Sequence, residues 1–315
     1  MVAYHALTRS LEAATHVQLS ARGMFAASVG HVLHGFVPTD RHHHAGRLAV
    51  ATRQSESAMS TIVTDQLCID LNPFVRCMVH ASTRHGALLV HQKLNQLADL
   101  AIRTEVGFDA SGLLTVGIRT ASPSGEDPAA CRDVHLMGMD IILSGIVELG
   151  TQTNADNDIY AGGNTRLKSP DRISGLAAFL GLGSSLASDA ALVFETDAEI
   201  NVQDLSQHLG CHSRTLQREF KAYGLTAETI KRACMLTRAT ALLSTTMTLT
   251  SIAHEAGYAD HAHMTRAFVR SCAVPPSILR QAFTLPLKST QQLHQSRADQ
   301  IYQYSATQVQ CGGDS

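Results

Sequence analysis

Tryptophan is absent from the 315 residues, and all aromatics together make up only 5%. Hydrophobic residues still account for 44%. A core must therefore be built from Ala, Leu, Val and Ile, which suits packed helices better than a β-sandwich. No stretch approaches 18 uninterrupted apolar residues, which excludes a membrane-spanning helix. The N-terminus carries His5, Arg9 and Glu12 among small residues and has no compact apolar run of the kind a secretory leader needs. A cytoplasmic protein with no membrane partner is expected. Cysteines number seven (Cys68, Cys77, Cys131, Cys211, Cys234, Cys272 and Cys311), are widely spaced and form no CxxC pair. They read as reduced thiols, not as a disulfide framework or a zinc site. The length suffices for two domains, each with its own core.

The formal net charge is only −2, but it is unevenly spread. Between Val202 and Phe283 stand nine Lys or Arg against five Asp or Glu, a net of +4. The rest of the chain holds 16 basic and 22 acidic residues, a net of −6. A basic segment in an acidic chain points to an anionic partner for that segment, although a solvated helical face would carry the same charge.

Along the chain, residues 1–36 are mostly good helix formers at helical spacing, and Arg41-His42-His43-His44 follows Pro38-Thr39-Asp40 as a polar break. Leu88, Leu89, Leu94, Leu97 and Leu100 have helical spacing. Glu105–Phe108 and Leu113–Ile118 flank Asp109-Ala110-Ser111-Gly112, the pattern of a β-hairpin. Ser122–Pro128 is a loop by composition, and Cys131–Leu149 reads as another amphipathic helix. The Asn- and Gly-rich stretch from Thr151 to about Asp171 reads as loop, and Ala191-Leu192-Val193-Phe194 as a strand. Seven glutamines among few apolar residues make the tail, 285–315, an expected disordered segment.

Residues 202–283 hold an internal repeat. The first unit runs Val202…Leu205…Leu209-Gly210, then Ser213-Arg214-Thr215-Leu216-Gln217-Arg218-Glu219-Phe220. The second runs Leu249…Ile252…Ala256-Gly257, then Asp260-His261-Ala262-His263-Met264-Thr265-Arg266-Ala267-Phe268. Each has a short helix with apolar residues at i and i+4 and a Gly where positive φ costs least. A polar cap, Ser213 or Asp260, then opens a second helix with another apolar i, i+4 pair. That is a helix–turn–helix, twice, 47 to 48 residues apart. Between the copies, Ala227–Ser244 carries Ile230, Ala233, Leu236, Ala239 and Leu243 on one stripe. A rigid helix of ~17 residues spans roughly 25–27 Å. Such a ruler brings two recognition helices toward the ~34 Å between successive major-groove turns.

At these residues the chain resembles the AraC/XylS family of bacterial transcription regulators. The resemblance rests on the paired units, on Arg238-Ala239…Leu242-Leu243 in the connector, and on Ile252-Ala253…Gly257-Tyr258…Arg266-Ala267-Phe268-Val269-Arg270…Val274-Pro275-Pro276-Ser277…Arg280. It covers about 80 residues, about a quarter of the chain. Val269 stands where the family usually has Lys, and Ala273 where Gly or Asp is usual. The 86–150 region distantly resembles the arabinose-binding-type sensor domains of one branch. The implied architecture is an α+β regulatory or sensor domain (1–196) followed by an all-α DNA-binding domain (197–284). The helix–turn–helix units lie at about 202–221 and 249–270.

Helix geometry names the DNA-binding residues. With Leu216 and Phe220 turned to the core, Arg214, Gln217, Arg218 and Lys221 face outward. With Met264 and Phe268 buried, His261, His263, Arg266 and Arg270 do the same. Arg and Gln can make bidentate contacts to guanine and adenine edges. The resemblance supports Arg214, Gln217, Arg218, His261, His263 and Arg266 as base-facing, while hydroxyls and amides near Ser213 and Thr250 would hold phosphates.

Other constellations carry less. Adjacent His42, His43 and His44 in a surface loop near His31 and His34 lack metal-ligand geometry. Cys131 and His135 lack an orienting third group for nucleophilic work. Gly162-Gly163 and Gly181-Leu182-Gly183 are not phosphate-loop fingerprints. No catalytic residue, metal or cofactor is expected. The expected function is sequence-specific transcription regulation, as an activator of promoter DNA. Partners would include RNA polymerase and a small-molecule effector, with the chain a monomer or homodimer. The rival from another class is a small-molecule-binding or enzymatic protein whose C-terminal helices no longer bind DNA specifically. A third reading is a non-specific architectural protein.

Overall fold

The computed structural model describes residues 2–4, 8–9, 12–13, 19–51, 62, 65–79, 90, 102–108, 114–120 and 170–283. The expected helix at 131–149, most of the expected helix at 86–103 and the glutamine-rich tail lie outside them.

In the N-terminal half, β1 (Val2–Tyr4) pairs antiparallel with β2 (Phe36–Pro38), with Ala3 opposite Val37. The run of helix formers at 1–36 thus contains the helix α1 (Ala21–Leu33), with a short two-stranded ribbon formed by its flanks. Ser20 caps α1 by accepting from the Gly23 amide at 3.2 Å. The expected polar break at 39–44 is instead the start of α2 (Thr39–Ala51). Pro38 precedes that helix and Asp40 lies in its first turn, which are start signals and not loop signals. His42 is consequently buried, with Nδ1 2.9 Å from the Thr8 hydroxyl, so it is not part of a flexible surface loop. Helix α3 (Pro73–Val79) follows. The hairpin expected from turn composition is present as β3 (Ile102–Phe108) and β4 (Leu114–Thr120), with Phe108 opposite Leu114.

From residue 170 to residue 283 the chain is mostly helical. Helices α4 (Ile173–Phe179) and α5 (Leu186–Thr196) pack together. The strand expected at 191–194 is the last part of α5, whose Ala187, Ala190, Ala191 and Phe194 are buried at helical spacing. Four apolar residues in a row carry no period of their own, and the Ser185 cap, accepting from the Ser188 amide, starts the helix upstream. Then come α6 (Val202–His208), α7 (Ser213–Ala222), α8 (Ala227–Leu242), α9 (Leu249–Glu255), α10 (His261–Cys272) and α11 (Pro276–Phe283).

Helix α8 is the hub. The expected stripe of Ile230, Ala233, Leu236 and Ala239 is buried, and so are Cys234, Met235, Thr237 and Thr240 on the rest of its circumference. It packs against α1, α3, α4, α5, α9 and α10. Helices apolar around most of their surface are core helices. Its two buried threonines are satisfied locally: Thr237 donates to the carbonyls of Ala233 and Cys234 at 3.0 Å, and Thr240 to Leu236 at 2.8 Å.

Candidate nucleic-acid interface

Each half of the repeat is built by the same local chemistry. Asn201 caps α6 by accepting from the amides of Gln203 and Asp204, and Thr248 caps α9 by accepting from Ser251. At the far end of α6 the Gly210 amide donates to Gln207 and the Cys211 amide to Ser206. After α9 the Gly257 amide donates to His254 and the Tyr258 amide to Ala253. These are matching Schellman closures, and both glycines sit at positive φ, 62° and 84°. The two turns are the same turn.

The second helices differ at their starts. Asp260 caps α10 as expected, accepting from the His263 amide at 2.6 Å. That hydrogen bond, followed by the nearby Arg266 and His263, holds the Asp260 carboxyl below its ordinary range. The α7 cap is His212, not Ser213, and its side chain makes no capping bond. Ser213 is the first helical residue, and its hydroxyl lies 2.8 Å from that of Ser206, tying α7 back to α6. A serine at a helix start has two uses, capping and bridging, and sequence spacing does not separate them.

Leu216, Phe220, Met264 and Phe268 are all buried, and the eight outward residues are all exposed. Arg214, Gln217, Arg218 and Lys221 form a stripe on α7. His263, Arg266 and Arg270 form one on α10, with His261 at its N-terminal end. Among the described residues, the five Lys and Arg side chains on these stripes make no ion pair and no hydrogen bond. By contrast, Arg238 pairs with Glu255 and donates to the Glu195 carbonyl at 2.9 Å. Lys231 donates to the Ile200 carbonyl at 3.3 Å. The basic segment therefore divides into cations that brace the fold and cations that face solvent. His263 is steadied by an edge-to-face contact with the buried Tyr258, ring centroids 5.1 Å apart. His261 Nε2 lies 3.4 Å from the Thr265 hydroxyl. Thr250 is exposed on α9.

Contacts from the N-terminal half also reach this region, and sequence reading missed them. Phe25 of α1 meets Tyr223 edge to face at 5.7 Å, and the Arg22 guanidinium lies 5.3 Å from that ring's centroid. His34, at the end of α1, has its pKa lowered by partial burial and then by Arg232 and Arg270. Helices α1 and α3 both pack against α10. No periodicity announces these pairings, because they join residues some 200 positions apart.

Two helix–turn–helix units sharing one buried helix define a nucleic-acid-reading module. Residues 205–282, about a quarter of the chain, match the family model described as a helix-turn-helix domain. Among curated proteins no relative matches the chain. A solved structure, that of the transcriptional regulator CdpR from Pseudomonas aeruginosa, is similar at 15% identity, covering 78% of this chain and 92% of that chain with a TM-score of 0.30. No helix among the described residues is long and apolar enough to cross a membrane.

Proposed function

We propose that the protein is a sequence-specific transcription regulator, an activator acting in the cytoplasm, whose helices α7 and α10 read promoter DNA. Residues 197–284 form the reading unit, and residues 1–196 sense an effector or mediate dimerisation. RNA polymerase is the partner through which bound protein acts. The observation that carries this reading is the pair of exposed cationic stripes on α7 and α10, each helix set by a matching glycine turn after α6 or α9. The 16-residue α8 is about 24 Å long at 1.5 Å per residue. That length supports engagement of neighbouring major-groove segments by the two stripes.

In this proposal Arg214, Gln217, Arg218, His261, His263 and Arg266 face bases, while Lys221 and Arg270 hold phosphates. Arginine offers guanine a bidentate donor pair, and glutamine can pair with adenine through both its amide atoms. Alanine at Arg218 or at Arg266 is expected to weaken specific binding by ~1–3 kcal/mol and relax preference at one base position. Alanine at Lys221 or Arg270 should weaken all sequences alike and reduce the salt slope by about one. Titration of the protein into labelled duplexes at several salt concentrations measures both. Affinity independent of salt would refute DNA binding, and equal affinity for bulk DNA would favour a non-specific architectural role.

A further inference from the structure

The last turn of α10 ends in a buried polar knot tied to the N-terminal half. Ser271 and Asn72 are both fully buried. The Ser271 hydroxyl donates to the Val32 carbonyl at 2.6 Å and accepts from Asn72 Nδ2 at 3.1 Å. Asn72 Nδ2 also donates to the His31 carbonyl at 2.8 Å, and Asn72 Oδ1 accepts from the Phe74 amide at 3.0 Å. The Gly35 amide donates to the Ser271 carbonyl at 2.8 Å. These bonds orient the Asn72 amide uniquely: its nitrogen faces oxygens and its oxygen faces an N–H. The fit is also tight, since a Cβ on Gly35 would stand 2.5 Å from Asn72 Nδ2 and 2.6 Å from the Ser271 carbonyl oxygen. Asn72 itself is held by its backbone amide, which donates to Asp70 Oδ1 at 2.9 Å, at the entry to α3.

Among the described residues no hydrogen bond ties the end of α7 to the N-terminal half: Phe25 and Arg22 meet the Tyr223 ring, and the closing amides of Tyr223, Gly224 and Leu225 bond to carbonyls of the same helix. We propose that Asn72, with Ser271 and Gly35, positions the second reading head: a buried hydrogen-bonded knot from the N-terminal half sets the pose of α10, whereas α7 meets that half through ring and apolar packing without a hydrogen bond. The proposal rests on the DNA-binding reading given above. Buried polar networks give orientation as much as stability, because any shift strands a donor or acceptor away from water. A change in the 31–35 or 70–74 segments would therefore be felt at α10 first.

The test is a set of double-mutant cycles on duplexes selected from random sequence by the wild-type chain. S271A is the smallest lesion and N72A the second, each confirmed as folded by a cooperative thermal melt. Each is combined with Arg218→Ala and, separately, with Arg266→Ala. The expected result is that Arg218→Ala keeps its full loss, roughly tenfold or more, in both knot variants. Arg266→Ala, in contrast, should cost less than about half of its wild-type loss on the logarithmic scale, because α10 is already misplaced. Hydrogen exchange without DNA should quicken over 261–272 in the knot variants and stay unchanged over 213–222. Full additivity of Arg266→Ala with both knot lesions overturns the positioning role, even with DNA binding intact. A wild-type chain that selects no sequence, or an Arg218→Ala change without effect on the selected duplex, overturns the underlying reading.

Discussion

The two turn glycines permit an internally controlled experiment. Gly210 and Gly257 occupy equivalent places, both at positive φ, yet their surroundings differ. A Cβ at Gly210 meets nothing within 4 Å, whereas one at Gly257 stands 2.3 Å from the Cβ of Ala198 and 3.7 Å from Met235 Cγ. Placing alanine in the left-handed region costs ~1–2 kcal/mol, offset by about 0.4–1 kcal/mol from the stiffer unfolded chain. Gly210→Ala should therefore lose about 1 kcal/mol. Gly257→Ala carries the same backbone cost and must also push back Ala198, since carbon atoms pack at about 3.5–4.0 Å. Overpacking of that kind adds ~1–3 kcal/mol, for a total of about 2–4 kcal/mol. Pairing Gly257→Ala with Ala198→Gly removes the colliding methyl and should return the loss close to that of Gly210→Ala. Urea unfolding followed by circular dichroism reads all four proteins, with unchanged m-values as the check on comparability. Equal losses for the two single variants, or no recovery in the double, would refute the packing argument.

Two further outcomes follow from the structure. Ala273 closes α10 at φ 58°, the one non-glycine residue at positive φ among those described, so Ala273→Gly should raise stability by about 0.5–1 kcal/mol, and an unchanged urea midpoint would count against the strain. His34 has its pKa depressed from 6.5 by partial burial first and then by Arg232 of α8 and Arg270 of α10. The unfolded chain therefore takes up this proton at higher pH than the folded one, and the stabilisation is complete above about 6.5 and lost as pH falls through the folded value. His34→Gln should accordingly show a smaller drop in thermal midpoint between neutral and mildly acidic buffer than the parent, and an identical drop would exclude His34 as a contributor.

Much of the reading module is legible in the sequence because its determinants are local. The Leu216/Phe220 and Met264/Phe268 pairs fix which face each helix buries. Gly210 and Gly257 fix where the preceding helices close, and Asp260 fixes where α10 begins. All of these act within one or two turns of chain, so spacing alone reveals them. The same locality explains the misreadings. Ala191–Phe194 has no internal period, and at Thr39–Asp40 polar composition masks a helix start.

What tertiary structure decided is everything that depends on a second surface. The sequence shows one apolar stripe on α8, and only packing against helices on several sides explains why Cys234, Met235, Thr237 and Thr240 are buried as well. Basic residues look alike in a sequence, but the fold assigns Arg238 to Glu255 and Lys231 to a backbone carbonyl while leaving Arg214, Arg218 and Arg266 in solvent. Asn72 and Ser271 meet across 199 positions. A hydrogen bond of that span depends on the path of the whole intervening chain, and no periodicity encodes it.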